Sequence, residues 1–339
     1  MSDPKFKVYI TDYDYPDLEI EKAVLEPIGA EVIGLQCKSG EGLAELAGDA
    51  DALLQQYAKI PRSTITQLKQ CKVICRYGIG VDILDVEACR DFGIQVTNVP
   101  DYCLDEVADH SISMALSLAR RLPAYNDFTH QGNWHWNMDG ILPIRFRDSV
   151  WGLVGYGRIA QNIAHKVQSL GFKVVAYDPH VSRSFMKSTG VEKVDLNSLL
   201  QTSDIVNLMC PHTPETDRMI GENELRMMKK SAVIINGARG KLIDNRALYV
   251  ALTEKWIASA GLDDPEEEPA KLTHWDPVQN PLFSLPNCII TPHVAYVSSD
   301  AFNECRRIAA ENAREVLLGN PPLNPLTQHS QSPLSRSGS

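Results

Sequence analysis

The sequence of 339 residues lacks the features of a membrane-spanning or nucleic-acid-binding chain. No uninterrupted apolar run approaches the length of a membrane span. Positive charge is in deficit, because 33 Lys and Arg residues face 43 Asp and Glu residues and the formal net charge is −10. This balance gives no reason to expect nucleic acid or an anionic membrane as a partner. An anionic small substrate would need cationic groups concentrated at one place, so individual arginines are of interest.

The cysteines give no sign of a metal centre or a disulfide framework. There are eight, without a C-x-x-C pair, and the two closest are Cys71 and Cys75. Most lie in apolar strand-like or helical contexts, which favours reduced core thiols over a metal site. The first residues, MSDPKFKVYITDYD, run into a strand-like pattern without the basic start and apolar stretch of a secretory signal. We therefore expect a cytoplasmic protein without bound metal.

Strand-like runs of branched residues alternate with helical patterns along most of the chain, and 44% of the residues are hydrophobic. This alternation predicts an α/β protein whose parallel sheets are covered on both faces. The predicted strands of a first region, from about residue 7 to 100, are KVYIT, AEVIGL, ADALLQQ, KVICRYG and IQVTNV. Those of a second region, ending near residue 293, are SVWGLVG, KVVAYD, DIVNLMC, AVIIN, IASAGLD and CIIT.

A helix is predicted between the two regions, in DEVADHSISMALSLARRLP. Its apolar and small residues recur at helical spacing from Leu104 to Leu122, and Pro123 is expected to end it. A last helix is predicted near Asp300 to Leu318. The tail from Asn320 is rich in Pro, Ser and Gln and is expected to be disordered.

The segment GLVGYGRIAQ follows an apolar strand and opens a helix, as a dinucleotide-binding loop does. Gly155, Gly157 and Ala160 occupy the three small positions of G-x-G-x-x-G/A. The first permits the tight turn, the second lets the backbone approach a pyrophosphate, and the third lets helix and strand pack. Asp178 ends the next strand, where a carboxylate can bind both ribose hydroxyls and would repel a 2′-phosphate, which predicts NAD over NADP. The alternative is an ordinary β-α-β turn with a surface Asp.

Three kinds of reactive side chain follow strands of the second region. Arg239 follows AVIIN, Asp263 ends IASAGLD with Glu268 five residues later, and His293 follows CIIT. Ligands of open α/β sheets bind beyond the carboxyl ends of the strands, so these groups should converge there.

Each group meets a need of hydride transfer to a ketone. The resulting alkoxide needs a proton, and imidazole, with an unperturbed pKa of about 6.5, gives and takes one near neutrality. A carboxylate beside His293 would hold one tautomer and favour the protonated ring. The guanidinium of Arg239 can pair with a substrate carboxylate and polarise the carbonyl oxygen. Sequence reasoning does not choose among Glu266, Glu267 and Glu268, and a structural role for any single residue of the set stays open.

The chain resembles the D-2-hydroxyacid dehydrogenase family, which includes glycerate, phosphoglycerate and D-lactate dehydrogenases and the C-terminal-binding proteins. The matching stretches are RYGIGVDILD, VADH, GLVGYGRIAQ, AYDP, CPHTPET, INGARGKLID, GLDDPEEEP and TPHVAY, in the family's order from about residue 76 to 296. The resemblance implies an NAD-dependent oxidoreductase that reduces a short 2-keto acid or oxidises the matching 2-hydroxy acid.

The resemblance also implies roles for individual residues. Arg239, Glu268 and His293 are similar to the family's catalytic Arg, Glu and His, which selects Glu268 among the three glutamates. The backbone N–H groups of Ile79 and Gly80 are similar to its cradle for the substrate carboxylate. The expected cofactor contacts are Gly155, Gly157, Arg158, Ile159, Asp178, Pro211, Thr216, Ala238 and Asp263, the last near the nicotinamide amide.

The implied fold has two doubly wound parallel-sheet domains. A flavodoxin-like substrate domain would comprise residues 1–100 and 296–325, and a Rossmann cofactor domain residues 101–295, followed by a disordered tail, 326–339. Dimers of the family form through the cofactor domain and the crossover region, here about residues 102–147, so we expect a homodimer.

The sequence departs from the family pattern at a few positions. Ala160 replaces the usual third glycine, and Asp264 stands where an apolar residue is common. Tyr296 stands where C-terminal-binding proteins carry Trp, and it is expected to line the substrate pocket. Glu268 disfavours a formate dehydrogenase, because those relatives use Gln as the partner of the His.

The substrate side chain and one rival function stay open. Arg76, just before the cradle, could meet a second anionic group such as a phosphate, and the alternative is an ion pair with Asp82 or Asp101. Glyoxylate, hydroxypyruvate and other short 2-keto acids are candidates. The rival is an NAD(H)-sensing scaffold similar to the C-terminal-binding proteins, against which the complete set of Arg, Glu and His favours an enzyme.

Overall fold

The computed structural model describes residues 4–269 and 274–326, which form two compact units. The first unit contains the chain up to Tyr102 and the segment that begins at Val297, and the second is Cys103–Tyr296. Of the tail predicted to be disordered, residues 327–339 lie outside the described residues. Disorder from Asn320 onwards was predicted wrongly for residues 320–326, because Asn324 N donates to Asn312 Oδ1 (2.9 Å) and Leu326 N donates to Val96 O (3.0 Å). Within the described ranges, no helix has both the length and the apolar character needed to cross a membrane.

Strands and helices alternate along both units. The strands are β1 (Phe6–Ile10), β2 (Ala30–Gly34), β3 (Ala52–Gln55), β4 (Val73–Arg76), β5 (Gln95–Thr97), β6 (Val150–Val154), β7 (Lys173–Tyr177), β8 (Glu192–Lys193), β9 (Ile205–Leu208), β10 (Val233–Asn236), β11 (Ser259–Leu262) and β12 (Cys288–Ile290). The helices are α1 (Glu19–Leu25), α2 (Gly40–Leu46), α3 (Arg62–Ile65), α4 (Val86–Asp91), α5 (Leu104–Ala119), α6 (Leu122–His130), α7 (Arg158–Ser169), α8 (Arg183–Ser188), α9 (Leu196–Thr202), α10 (Glu222–Met227), α11 (Asn245–Thr253) and α12 (Ser299–Leu317). Short 3₁₀ helices occupy Glu26–Ile28, Gly240–Leu242, Pro277–Gln279 and Pro281–Ser284.

The first unit contains a parallel sheet in the order β2-β1-β3-β4-β5. This is the order of flavodoxin-like folds. The small residues of α12, among them Ala309 and Ala313, pack with Val8 and Leu54 of the sheet, so the last helix completes the core of the first unit.

The second unit contains a parallel sheet in the order β12-β11-β10-β9-β6-β7-β8. Its strand order reverses between β6 and β9, which pair directly, and such a switch point is where Rossmann folds bind a dinucleotide. The central strands β9, β10 and β11 are buried throughout, as expected of a parallel sheet covered on both faces. The predicted fold class, with one Rossmann and one flavodoxin-like sheet, is confirmed.

The eleven predicted strands are present, and two local details differ from prediction. Strand β8 was not predicted, because its two residues, Glu192 and Lys193, carry no apolar pattern. Pro123 does not end the crossover helix. Helix α5 already ends at Ala119, Arg121 has a left-handed φ of 58°, and Pro123 lies in the first turn of α6, where its missing N–H has no helical partner to lose.

Candidate active site

The glycine loop between β6 and α7 has the geometry of a phosphate-binding turn. Gly155 has a φ of 92°, and a Cβ there would lie 2.8 Å from the backbone of Met209 and Cys210, so only glycine fits. A Cβ on Gly157, which caps α7, would meet no atom within 4 Å. Open space therefore lies at the start of a twelve-residue helix whose first N–H groups favour anions. Ala160 is fully buried and packs in the core, so the third small position serves helix packing.

Asp178 follows β7 and anchors the same loop. Its Oδ2 accepts a hydrogen bond from Tyr156 N (2.8 Å), and its Oδ1 accepts from His180 N (2.8 Å) and Val181 N (3.2 Å). The carboxylate is thus held by backbone donors beside the glycine turn. Its predicted contact with the ribose stays a prediction, and it would use the remaining acceptor capacity of the two oxygens.

The loop after β9 is closed by Thr216. Its hydroxyl donates to Pro211 O (2.8 Å) and accepts from Thr213 N (2.7 Å), so this predicted cofactor residue shapes the turn. Cys210 precedes the turn, and burial raises the pKa of its thiol to about 12. The raised pKa favours the neutral thiol at physiological pH.

The loop after β10 is shaped by Asn236. Its amide donates from Nδ2 to Arg239 O (2.8 Å) and accepts at Oδ1 from Ala238 N (3.1 Å). The Arg239 guanidinium in turn donates to Ala238 O (2.8 Å). The next residue, Gly240, packs directly on the loop after β11, because a Cβ there would overlap the carbonyl oxygen of Pro265.

The three adjacent glutamates have different environments. Glu266 accepts from Arg218 Nε (2.7 Å) and from Asn245 N (3.3 Å). Glu267 accepts from Asn280 Nδ2 (3.0 Å), so both of these carboxylates tie the loop to its surroundings. Glu268 has a left-handed φ of 49°, and its backbone N–H donates to Pro265 O (3.0 Å). A non-glycine residue in this conformation is uncommon, and such strain is found more often at functional sites.

The backbone around His293 is held by Asp263. Its carboxylate accepts from Thr291 Oγ1 (2.6 Å), Val294 N (3.0 Å) and Ala295 N (2.9 Å), and its own carbonyl accepts from His293 N (2.7 Å). Asp263 is 4% exposed. Its contact with the cofactor stays a prediction, and the structure adds a role in holding the histidine loop.

The imidazole of His293 has a partner that we did not predict. Its Nδ1 lies 3.0 Å from Oδ2 of Asp264, which is almost fully buried. The ring of Tyr296 meets it edge-on, with centroids 6.1 Å apart. The signal in the sequence was a second Asp directly after a strand, which we noted only as a departure from the family pattern.

A second histidine also lies close to this network and was missed. His110 on α5, from the stretch VADH, has its Nε2 2.9 Å from Thr291 Oγ1 and 3.5 Å from Asp263 Oδ1. Because the Thr291 hydroxyl has one proton and donates it to Asp263 (2.6 Å), the contact with His110 requires an Nε2–H donor. The signal would have been a polar residue on the apolar face of the crossover helix.

The predicted substrate residues lie in the first unit. Arg76 ends β4, and its guanidinium donates to the carbonyl groups of Gly80 (3.1 Å, from Nε) and Tyr77, which shapes the turn after the strand. Ile79 O accepts from Asn98 Nδ2 (2.9 Å), so the turn is fixed from both sides. Among the described residues, no protein acceptor is bound by the backbone N–H of Ile79 or Gly80. These donors fit the predicted carboxylate cradle.

Within the second unit, parallel pairing brings Arg239, Glu268 and His293 to one edge of the sheet. They follow β10, β11 and β12, which are consecutive neighbours, so their carboxyl ends meet at the same edge. The glycine loop follows β6 and opens at this edge as well. The edge therefore carries a cation, carboxylates and an imidazole, together with a helix start whose N–H groups favour anions.

Comparisons with known proteins identify the family of the chain. Residues 112–295 match the family described as D-isomer specific 2-hydroxyacid dehydrogenase, NAD binding domain. A D-3-phosphoglycerate dehydrogenase of Methanocaldococcus jannaschii is 37% identical over 92% of this chain, which spans 58% of that enzyme's length. A glyoxylate reductase of Korarchaeum cryptofilum is 34% identical over 84% of this chain and 85% of its own.

Solved structures show the same fold. A D-lactate dehydrogenase of Aquifex aeolicus, in complex with NAD and lactic acid, has a TM-score of 0.83 at 27% identity and covers 93% of this chain and 96% of its own. The matched family domain binds NAD, which agrees with the cofactor predicted from Gly155, Gly157 and Asp178. The chain belongs to the D-2-hydroxyacid dehydrogenase family of NAD-dependent oxidoreductases, and residues 112–295 are its NAD-binding domain.

Proposed function

We propose that this protein reduces a short 2-keto acid with NADH, and in the reverse direction oxidises the matching D-2-hydroxy acid. One observation carries the proposal: Arg239, Glu268 and His293 follow three neighbouring strands and share the sheet edge at which the glycine loop opens. When bound, NADH supplies the hydride that reaches the carbonyl carbon of the substrate.

The side chains of the second unit have distinct roles in this proposal. His293 donates a proton from Nε2 to the carbonyl oxygen, since its Nδ1 is bound by Asp264. Arg239 pairs with the substrate carboxylate and polarises the carbonyl. Glu268 supplies a further carboxylate on the loop that follows β11, as the proposed acidic partner of the imidazole. Tyr296, whose ring touches His293 edge-on, lines the position of the substrate side chain.

The residues present fit NAD. The open space at Gly157 and the exposed start of α7, with Arg158 and Ile159, would hold the pyrophosphate, and Asp178 the adenosine ribose. The remaining proposed contacts lie on the loops after β9, β10 and β11: Pro211, Thr216, Ala238 and Asp263.

In the first unit, we propose that the N–H groups of Ile79 and Gly80 bind the substrate carboxylate. Arg76 holds this turn by its carbonyls. The same guanidinium is the proposed contact for a second anionic group on the substrate. Relatives named glyoxylate reductase, hydroxypyruvate reductase and D-3-phosphoglycerate dehydrogenase make glyoxylate, hydroxypyruvate and phosphohydroxypyruvate the first substrates to test.

A panel assay tests the proposal. Purified protein is mixed with NADH and each of these acids, and NADH absorbance is followed for the parent, His293→Ala and a control, His165→Ala, which changes an exposed residue of α7. We expect the parent and the control to consume NADH with at least one acid, and His293→Ala to bind NADH without turnover. If the parent binds NADH tightly but turns over none of these acids, the result would contradict an enzyme and favour the NAD(H)-sensing scaffold.

We also propose a cytoplasmic homodimer built through the crossover region. Trp134 is 92% exposed and Trp136 66% exposed, and an apolar groove of about 390 Å³ lies nearby, lined by residues including Met138, Leu142 and Leu285. Large exposed apolar side chains beside a groove are typical of a protein–protein interface. Light scattering should give twice the mass of the chain for the parent and a smaller average mass for Trp134→Ser/Trp136→Ser. A monomeric parent would exclude this interface.

A further inference from the structure

The backbone of His293 is fixed without help from its own ring. It has a left-handed φ of 56°, and its N–H donates to Asp263 O (2.7 Å) and Thr291 O (3.0 Å). The next two backbone N–H groups are bound by the carboxylate of Asp263. These bonds place the Cα and Cβ of His293 but leave the rotation of the ring undetermined.

Asp264 is in direct contact with the ring. Its Oδ2 lies 3.0 Å from His293 Nδ1, and its side chain is 6% exposed while that of the histidine is 22% exposed. A buried carboxylate is costly unless a donor satisfies it, so Nδ1 carries the hydrogen in this contact. The proton that the substrate receives then comes from the opposite nitrogen, Nε2.

We propose that Asp264 is a positioning residue for His293. It is a second acidic partner in addition to Glu268, and it holds the Nδ1–H tautomer of the ring. The inference rests on the proposed function and deepens it. The two consecutive aspartates after β11 have different contacts with the histidine loop. Asp263 binds its backbone, and Asp264 binds the ring of His293.

The charge around His293 comes from several elements. The titratable and charged groups on the neighbouring segments come from five places. They are Asp263 and Asp264 after β11, Glu266, Glu267 and Glu268 in the following turn, Arg239 after β10, His110 on α5 and Tyr296 on the histidine's own loop. The Oδ2 of Asp264 contacts Nδ1 at hydrogen-bond distance (3.0 Å). Removal of the Asp264 carboxylate should therefore affect the ring, whereas removal of the Glu267 carboxylate, which Asn280 binds, should not.

The test compares four proteins: the parent, Asp264→Asn, Asp264→Val and a control, Glu267→Gln, which removes a nearby carboxylate bound by Asn280. The Asn variant keeps an oxygen that can accept from Nδ1–H but lacks the charge, and the Val variant lacks both. Rates are measured with saturating NADH and the best keto acid across pH. Histidine NMR follows the tautomer and titration of His293, whose signal is identified by its loss in His293→Asn.

We expect kcat of Asp264→Asn to fall by about tenfold, well within the factor of 10²–10⁴ that a proton donor contributes. As the pH rises, the rate of reduction should begin to decline at a lower pH than in the parent, because the protonated imidazole has lost a partner. The KM for NADH should stay unchanged. The kcat of Asp264→Val should be lower than that of Asp264→Asn. The NMR titration of His293 should move to lower pH in both variants. Glu267→Gln should match the parent.

An unchanged pH profile together with an unchanged His293 titration in Asp264→Asn would overturn the inference. If that variant fails to fold, Asp264→Val decides by the same two measurements, since an apolar residue at this position is common in the family. Failure of the proposed function can be distinguished from failure of this inference. Even if the parent turns over no keto acid, NMR of the parent and the Asp264 variants still shows whether Asp264 controls the His293 ring.

Discussion

Gly240 and Pro265 are in direct backbone contact: a Cβ on Gly240 would overlap the Pro265 carbonyl oxygen and would lie 2.8 Å from Glu266 N. The contact joins the loop that carries Arg239 to the loop that carries Glu268. Pro265 O also accepts the backbone N–H of Glu268 (3.0 Å). The position of this glutamate therefore depends on a close approach that only glycine permits.

The first prediction separates the three glutamates. Glu268→Gln should lower kcat by about tenfold or more, since it removes a charge from the catalytic edge, with NADH binding unchanged. Glu267→Gln should retain activity, because its partner Asn280 can bind an amide oxygen as well. Glu266→Gln should retain kcat and lose a little thermal stability, since its partner Arg218 is largely exposed. Equal kcat values for all three variants would show that Glu268 has no special role in catalysis.

The second prediction concerns acid stability. Arg121 binds Asp139 through two hydrogen bonds (2.6 and 2.7 Å), and the guanidinium lowers the pKa of that carboxyl below its usual value. A lowered folded-state pKa means that the stabilisation is present above the unfolded pKa of about 3.9 and is lost as the pH falls through the folded value. Asp139→Asn should thus be less stable than the parent at pH 7, and the difference should vanish in acid.

Chemical denaturation of the parent and Asp139→Asn at several pH values measures this difference. We expect at most about 1 kcal/mol, because Asp139 is 36% exposed and water screens the pair. A matched control is Asp148→Asn, whose carboxylate lies 3.7 Å from Lys173 Nζ and is 71% exposed. It should show no such pH dependence, and the same dependence in both variants would contradict the assignment to Arg121.

Much of the fold could be predicted because its signals are local in sequence. Each of the eleven predicted strands is a run of apolar residues, and the glycine loop is contained in ten residues. β8 escaped prediction because two polar residues on the edge of a sheet carry no periodicity. Pro123 was misread because a proline suits the first turn of a helix as well as the position after one.

The candidate site also has residues that the sequence could predict and contacts that it could not. Arg239 and His293 could be found from their places after predicted strands, since parallel strands bring their carboxyl ends to one edge. The contact of Asp264 with His293 Nδ1 could not, because it joins residues 29 positions apart through a left-handed φ at the histidine. Such a backbone conformation depends on tertiary hydrogen bonds and leaves no pattern in the sequence.

The third prediction tests Asp178 as the residue that selects NAD. Asp178→Asn should lower the ratio of NADH to NADPH efficiency by about tenfold, equivalent to 1.4 kcal/mol, because a 2′-phosphate no longer meets a negative charge. The asparagine keeps an oxygen that can accept the N–H of Tyr156 or of His180, so the loop should stay folded. Kinetics with both cofactors measure the ratio. An unchanged ratio with weaker binding of both would leave Asp178 only its structural role.

The fourth prediction distinguishes the two glycines of the phosphate turn. Gly155→Ala should destabilise the protein, because the residue has a φ of 92° and its Cβ would lie 2.8 Å from the backbone of Met209 and Cys210. Gly157→Ala should fold normally, since its φ is −74° and a Cβ there meets no atom within 4 Å. That same Cβ would stand in the space proposed for the pyrophosphate and should weaken NADH binding by about tenfold or more.

Thermal denaturation and NADH titration of both variants therefore give opposite patterns. Gly155→Ala should have a lower melting temperature than the parent, and any loss of its NADH affinity should result from that loss of stability. Gly157→Ala should keep the melting temperature of the parent and lose only affinity. A Gly157→Ala variant that binds NADH as the parent does would show that the backbone at this position does not approach the cofactor. The proposed orientation of the dinucleotide on α7 would then have to be abandoned, even though the chain belongs to an NAD-binding family.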